Sequence, residues 1–444
     1  MVFESHIGVV AFPFGTHAAP LLDVVQRIAA SAPGTLFSFF NTADSNRKLF
    51  NTCANIRIHE VWDGTPRDQV FTGSHFEALG LFLKACPHNL EKAIGEAEED
   101  TGLTICSLIS DAFLWFSCDL AEKRGVPWVA LWTSASCSLS AHMYTHEILQ
   151  ALESGVAERD EHDKIQPLIP GLEMATFRDL PPEVFLDKNP SPLAVTINKA
   201  VEKLPRSHAV ILNSFEEIDP IIAKDLKSKF RHFLNIGPSI LPSPIADDKS
   251  GCLSWLGKQT RPKSVVYISF STVATPPEKE LVALAEALEA CQFPFLWSLK
   301  EQARESLPDG FLERTTSFGK IVSWAPQLQV LAHDSVGVFV SHCGWNSIIE
   351  SISSGVPMIC RPFFGDQKLN SRMIQDSWKI GLRIEGGVFS KSGAMEALNR
   401  IMTGDEGKII RENVNVLKEK ATTAVEPQGS SSKNFQKLLQ IICI

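Results

Sequence analysis

The chain has 444 residues, of which 44% are hydrophobic and 21% charged, with a formal net charge of -9 at pH 7. That length exceeds what one core organises and suits two domains of about 200 residues each. The acidic balance, with no basic cluster to offset it locally, argues against nucleic-acid binding and points to a small-molecule ligand.

Short β-branched apolar runs alternate with amphipathic stretches along the chain, the pattern of parallel sheets with helices on both faces. In the first half HIGVVAF (6–12), LFSFF (36–40), IRIHEV (56–61), CSLIS (106–110), PWVAL (127–131) and AVILN (209–213) read as strands. APLLDVVQRIAAS has the apolar spacing of a helix. Residues 154–205, rich in Pro and charge, read as helices and loops over a cleft. GPSILPSPIADDKSG (237–251) reads as an interdomain linker. After it come SVVYISF, the helix EKELVALAEALEAC, then FPFLWSL, KIVSW, GVFVS, PMICR and LRIE as a second series. The expected division is 1–236 and 252–444, with the last helix returning to the first domain. The ten cysteines contain no C-x-x-C pair and read as reduced cytosolic thiols. The start MVFESHIGVVAFPFG has no basic n-region, and no apolar run reaches the roughly 18 residues of a membrane span. A soluble, cytoplasmic monomer is expected.

In doubly wound sheets ligands bind beyond the carboxyl ends of the strands, and the polar residues gather there. After the strand GVFVS, His342, Cys343 and Gly344 make a turn, and Trp345, Asn346, Ser347 and Glu350 open the next helix. A helix N-terminus behind a small turn favours a diphosphate. Taken singly, Asn346 and Ser347 read equally well as helix caps. His17, in FPFGTHAAP, stands at the start of a helix, where the dipole favours a neutral imidazole able to accept a proton. Asp111 ends the run CSLISD; if the two meet, they form a base with its orienting carboxylate. No H-E-x-x-H, clustered His/Asp set or D-x-D at a strand end suggests a metal. The lack of G-x-G-x-x-G after either first strand argues against a nicotinamide dehydrogenase.

The block from Trp324 to Gln367 resembles the 44-residue signature of plant family 1 UDP-sugar-dependent glycosyltransferases: Trp324–Gln327, His342–Ser347, Glu350, and Asp366 with Gln367. FPFGTHAAPLL, SDAFLWF, LNIGPSIL, GVPMICRPFFGDQ and IEGGVFSKSG extend the likeness over the chain, nearest to flavonoid and anthocyanidin 3-O-glucosyltransferases. The resemblance implies a GT-B fold: two facing Rossmann-like α/β domains, acceptor-binding then donor-binding, with parallel sheets and an interdomain cleft. It implies that Trp324 stacks on uracil and Ala325 contacts its edge, that Gln327 and Glu350 face the ribose, and that Thr272, His342, Asn346 and Ser347 face the diphosphate. Asp366 and Gln367 would hold sugar hydroxyls beside Trp345. His17 and Asp111 would form the catalytic dyad, with inversion at the anomeric carbon. A UDP-sugar would be the co-substrate, with no separate cofactor and no metal. Gln367 favours UDP-glucose, with UDP-galactose and UDP-rhamnose as alternatives. Phe14, Gly15, Thr16, Phe113, Thr133 and Phe364 would line the acceptor pocket. One departure stands out: where the family has Gly before Thr272, this chain has Ser271, a residue that dislikes a left-handed backbone. It would slow transfer, alter donor choice, or leave a weakly active UDP-sugar or flavonoid binding protein.

Overall fold

The computed structural model describes residues 3–49, 53–66, 72–154, 168–185, 190–239, 248–271 and 274–442. In the first half β1 (Ser5–Val10), β2 (Thr35–Asn41), β3 (Ile56–Glu60), β4 (Ser107–Asp111), β5 (Trp128–Trp132), β6 (Ala209–Leu212) and β7 (Phe233–Asn235) form one sheet in the order β3-β2-β1-β4-β5-β6-β7. In the second half β8 (Val265–Ser269), β9 (Phe295–Ser298), β10 (Gly319–Val322), β11 (Val336–Ser341), β12 (Met358–Cys360) and β13 (Gly381–Arg383) form another, in the order β10-β9-β8-β11-β12-β13. Every pairing is parallel. Helices cover both faces, so the central strands are buried on both sides and read as continuous apolar runs rather than as alternation. Ile7, Val9, Leu108, Ile109, Val266 and Ile268 are all fully buried.

The helix Glu278–Cys291 has the bounds expected from its spacing. The strand β7 was not expected: three residues at a sheet edge carry too little pattern to signal a strand, and it is secured by β6 and by the helix Ser430–Ile441. From that last helix Asn434 donates to the Asn235 carbonyl at 2.9 Å, and Phe435, Leu438 and Leu439 enter the core of the first sheet. Of the expected linker, residues 240–247 lie outside the described residues. In the stretch 154–205 the described residues include the short 3-10 helices Phe177–Asp179 and Pro182–Val184 and the helix Pro192–Lys203.

The halves meet through a continuous apolar cluster that includes Phe12, Trp132, Trp345, Leu369 and Trp378. Directed polar bonds cross the same seam. Trp345 Nε1 donates to the Asn213 carbonyl at 3.0 Å, and Trp378 Nε1 to Asp219 Oδ1 at 2.8 Å. Burial pushes the Asp219 carboxyl up to about 6, against the pull of its bonds from Trp378 and Ser136. Asp179, nearly inaccessible in the first half, accepts from Arg372 Nε at 2.8 Å and pairs with Arg383 Nη1 at 3.3 Å, both from the second half. Thr176 holds the same carboxylate through its N–H at 3.0 Å and its hydroxyl at 2.9 Å. Removing one partner of a buried ion pair leaves uncompensated charge, an effect moderated where the guanidinia stay partly exposed. Asp179→Ala is therefore expected to destabilise the chain by about 2 kcal/mol. The check is a lower urea midpoint; an unchanged midpoint would mean that the seam is held by its apolar contacts alone.

Candidate active site

On the first sheet the site begins where strand order reverses, between β1 and β4. The chain leaving β1 turns at Gly15 (φ +63°) and delivers His17 to the N-cap position of the helix Ala18–Ser31. Asp111 is the last residue of the buried strand β4. His17 Nδ1 lies 2.8 Å from Asp111 Oδ2. A carboxylate only accepts, so Nδ1 carries the proton and Nε2 is left with its lone pair. Asp111 Oδ1 accepts from the Phe113 N–H at 2.9 Å, which fixes the carboxylate, and Thr133 Oγ1 stands 3.0 Å from His17 Nδ1. Phe12 and Phe113 flank the imidazole with ring centroids at 5.1 and 4.7 Å. The side chain of His17 remains 21% exposed, whereas Asp111 is 0% exposed, so the imidazole reaches the cavity and the carboxylate does not.

On the second sheet the reversal lies between β8 and β11. The turn after β11 holds Cys343 at φ +67°, and Gly344 packs so tightly that a Cβ there would stand 2.4 Å from His342 Nε2. Glycine is thus needed for the imidazole as well as for any phosphate. His342 is buried, its Nδ1 has no hydrogen-bond partner among the described residues, and burial pushes it down to about 4, so it is neutral. The helix Trp345–Ser354 starts here without a side-chain cap, so Asn346 and Ser347 are not capping residues. Instead Gln327 Nε2 donates to Ser347 Oγ at 2.9 Å and to Glu350 Oε2 at 2.6 Å. Burial pushes Glu350 up to about 7, with the Gln327 bond working against it. Trp324 is 59% exposed at the rim, with Ala325 buried beside it.

Asp366 occupies the N-cap position of the helix Gln367–Arg372 but makes no cap bond. Its Oδ2 accepts from Asn370 Nδ2 at 2.9 Å and from Ser134 Oγ across the cleft. Burial raises its carboxyl above the usual range, against the donors Ser134 and Asn370. Gln367 Oε1 accepts the N–H groups of Phe363 at 2.8 Å and Phe364 at 3.2 Å, which leaves its NH2 as the group to offer a ligand.

One cavity of about 480 Å³ joins these parts, with walls from both halves. Gly15, Thr16, His17, Phe113, Thr133 and Phe364 line it, as do Trp324, Ala325, Gln327, His342, Trp345, Asn346, Ser347, Asp366 and Gln367. Asp111 and Glu350 do not line it but are hydrogen-bonded to His17 and Gln327, which do. Phe14 is not among the described residues that line it; its ring packs against Phe12 at 5.3 Å and Phe82 at 5.6 Å. Thr272 lies outside the described residues. Ser134, Glu183 and His142 were missed and also line the cavity. Ser134 follows β5, so attention to that strand end would have found it; His142 and Glu183 carry no local signal. The described cluster of possible metal ligands, Cys118, Asp119 and Glu122, is elsewhere on the helix Phe116–Arg124, with Asp119 and Glu122 already paired to Lys203 and Arg206.

A family profile described as UDP-glucoronosyl and UDP-glucosyl transferase matches residues 245–422. A flavonol 3-O-glucosyltransferase from Actinidia chinensis var. chinensis is 52% identical, over 98% of this chain and 96% of its own length. An anthocyanidin 3-O-glucosyltransferase from Gentiana triflora is 50% identical over 98% and 97%. A crystal structure of a UDP-glucose: anthocyanidin 3-O-glucosyltransferase in complex with UDP superposes with TM-score 0.93 and 41% identity, covering 100% of both chains. The chain belongs to this family of UDP-sugar transferases, and its fold is GT-B.

Ser271, on the cavity wall, has φ +70°. A left-handed backbone costs a non-glycine residue about 1–2 kcal/mol, part of which glycine's looser unfolded chain offsets. Ser271→Gly is expected to stabilise the protein by about 0.5–1 kcal/mol, and Ser271→Ala to give no gain. Urea titrations of the three proteins compare them directly; equal midpoints would mean that the turn relaxes at no cost.

Proposed function

We propose that this protein transfers glucose from UDP-glucose to a hydroxyl of a flavonoid, the 3-hydroxyl of a flavonol or anthocyanidin, with inversion at the anomeric carbon. The observation that carries this reading is the His17–Asp111 pair opening into the same cavity as the donor block. His17 Nε2 takes the proton of the acceptor hydroxyl while its oxygen bonds to the anomeric carbon. The bond from that carbon to the β-phosphate oxygen breaks on the opposite side, and UDP leaves. Asp111 stabilises the imidazolium that forms. The charge developing on UDP falls on the N–H groups opening the helix Trp345–Ser354, on Asn346, and on neutral His342. Trp324 stacks on uracil beside Ala325; Gln327 and Glu350 hold the ribose side, and Ser347 faces the diphosphate.

Gln367 presents donors and Asp366 an acceptor to adjacent sugar hydroxyls, and the pinned Gln367 amide supports glucose over its epimers. Phe113, Trp132 and Phe364 offer flat apolar walls suited to a polyphenol. Burial pushes His142, on the same wall, down to about 4, leaving a neutral imidazole whose Nδ1 has no hydrogen-bond partner among the described residues. Charge is handled by N–H groups and the dyad, so no metal or separate cofactor enters the scheme. We place the protein in the cytoplasm as a monomer; buried free thiols at Cys86, Cys137, Cys343 and Cys360 suit a reducing compartment. Among the described residues no helix is long and apolar enough to cross a membrane.

The test supplies UDP-glucose, UDP-galactose and UDP-rhamnose with quercetin, kaempferol or cyanidin and follows products by mass spectrometry, with and without EDTA. A hexoside from UDP-glucose, insensitive to EDTA and reduced at least about 10³-fold in His17→Ala, is expected. UDP binding without product would instead favour a binding protein, the reading that the strained Ser271 supports. Glu350 gives a second check. Its ionised form accepts from Gln327 Nε2 and so orients that amide towards the ribose, and it ionises as pH rises through about 7. UDP affinity should therefore weaken as pH falls below about 7, and Glu350→Gln should remove that component of the pH dependence. An identical pH profile in the variant would exclude Glu350 from the ribose site.

A further inference from the structure

We infer that Asn370 and Ser134 are positioning residues that lock one oxygen of Asp366 from two sides and hand the other to the donor sugar; this rests on Asp366 being the sugar-binding carboxylate. Asn370 is 0% exposed and lies one helical turn after Asp366. Its amide nitrogen donates to Asp366 Oδ2 at 2.9 Å and to the Cys343 carbonyl at 3.0 Å. Its own oxygen faces the Cys137 thiol, 3.5 Å away. Only one amide orientation satisfies this set, because a flip would set oxygen against two acceptors. Ser134 reaches the same Oδ2 from the other half of the molecule. A carboxylate oxygen has about two lone-pair sites. With both filled on Oδ2, the rotamer is fixed and Oδ1 is the acceptor that remains.

The lock also sets a distance that the reaction needs. Thr133 touches the base, and the next residue, Ser134, touches the sugar carboxylate. One peptide unit at the end of β5 thus ties the proton acceptor of the first half to the sugar anchor of the second. The bond from Asn370 to Cys343 couples that anchor to the turn of His342 and Gly344. The titratable groups around Asp366 are His17 and Glu183 from the acceptor side and the thiols of Cys137 and Cys343. With Glu183 nearby, the two donors also help to keep Asp366 ionised in a buried setting.

The experiment compares kcat with UDP-glucose for Ser134→Ala, Asn370→Ala, Asp366→Ala and the two doubles with Asp366→Ala, and measures UDP affinity of each by calorimetry. Each single lock variant is expected to lose about tenfold or more in kcat, as a hydrogen bond to a charged group implies. UDP affinity should stay within about threefold, since UDP carries no sugar for Asp366 to hold. Neither lock variant should lower kcat further once Asp366 is alanine. Losses that multiply in the doubles, or UDP affinity falling in step with kcat, would show a general brace and overturn the inference. Ser134→Ala leaves the buried amide untouched and decides the matter if Asn370→Ala does not fold. A near-normal kcat in Asp366→Ala would overturn the underlying reading of Asp366. A low kcat there, with both lock variants near normal, would overturn the lock alone.

Discussion

Where the order of parallel strands reverses, the two neighbouring connections leave the sheet on opposite faces and a crevice opens at the carboxyl ends. This chain has two such reversals, beside β1 and beside β8, and the seam turns them towards each other. The functional side chains follow from that constraint. His17 follows β1 and Asp111 closes β4; Ser271 follows β8 and His342 follows β11. Residues distant in sequence become neighbours because each stands just past the end of a strand.

The second consequence is electrical. The cavity is walled by two cores, so its ionisable groups have lost much of their water, and burial penalises whichever form is charged. It raises the carboxyls of Glu350 and Asp366 and lowers the imidazoles of His342 and His142. Opposing donors from Gln327, Ser134 and Asn370 limit the effect on the carboxyls. A dry site of fixed dipoles suits a reaction in which charge moves onto a diphosphate, since interactions there are screened less than in water.

Cross-cleft bonds make the two halves one catalytic unit. The short helix Gln367–Arg372 is gripped at its start by Ser134 through Asp366, in its middle by Cys137 through Asn370, and at its end by Asp179 through Arg372. Asp366 is therefore referenced to the half that carries His17 rather than to its own sheet alone.

Much of this was legible in local spacing. The helix Glu278–Cys291, the strand ends, and the polar groups between Trp324 and Gln367 depend on neighbours within a few turns, so period and turn chemistry expose them. The short edge strand β7 has too few residues to show a period, and nothing in the local spacing marks the packing of Phe14 against Phe82. Contacts across long separations do not show in local spacing: His17 with Asp111, a pair that the family resemblance implied, spans 94 positions, Thr133 with His17 116, and Ser134 with Asp366 232. Sequence order decides which chemical groups stand at strand ends, because side-chain direction repeats with local backbone geometry. Which of those groups meet, which oxygen is filled and which stays open are settled only when two sheets pack, because those distances depend on the whole chain closing around the cavity.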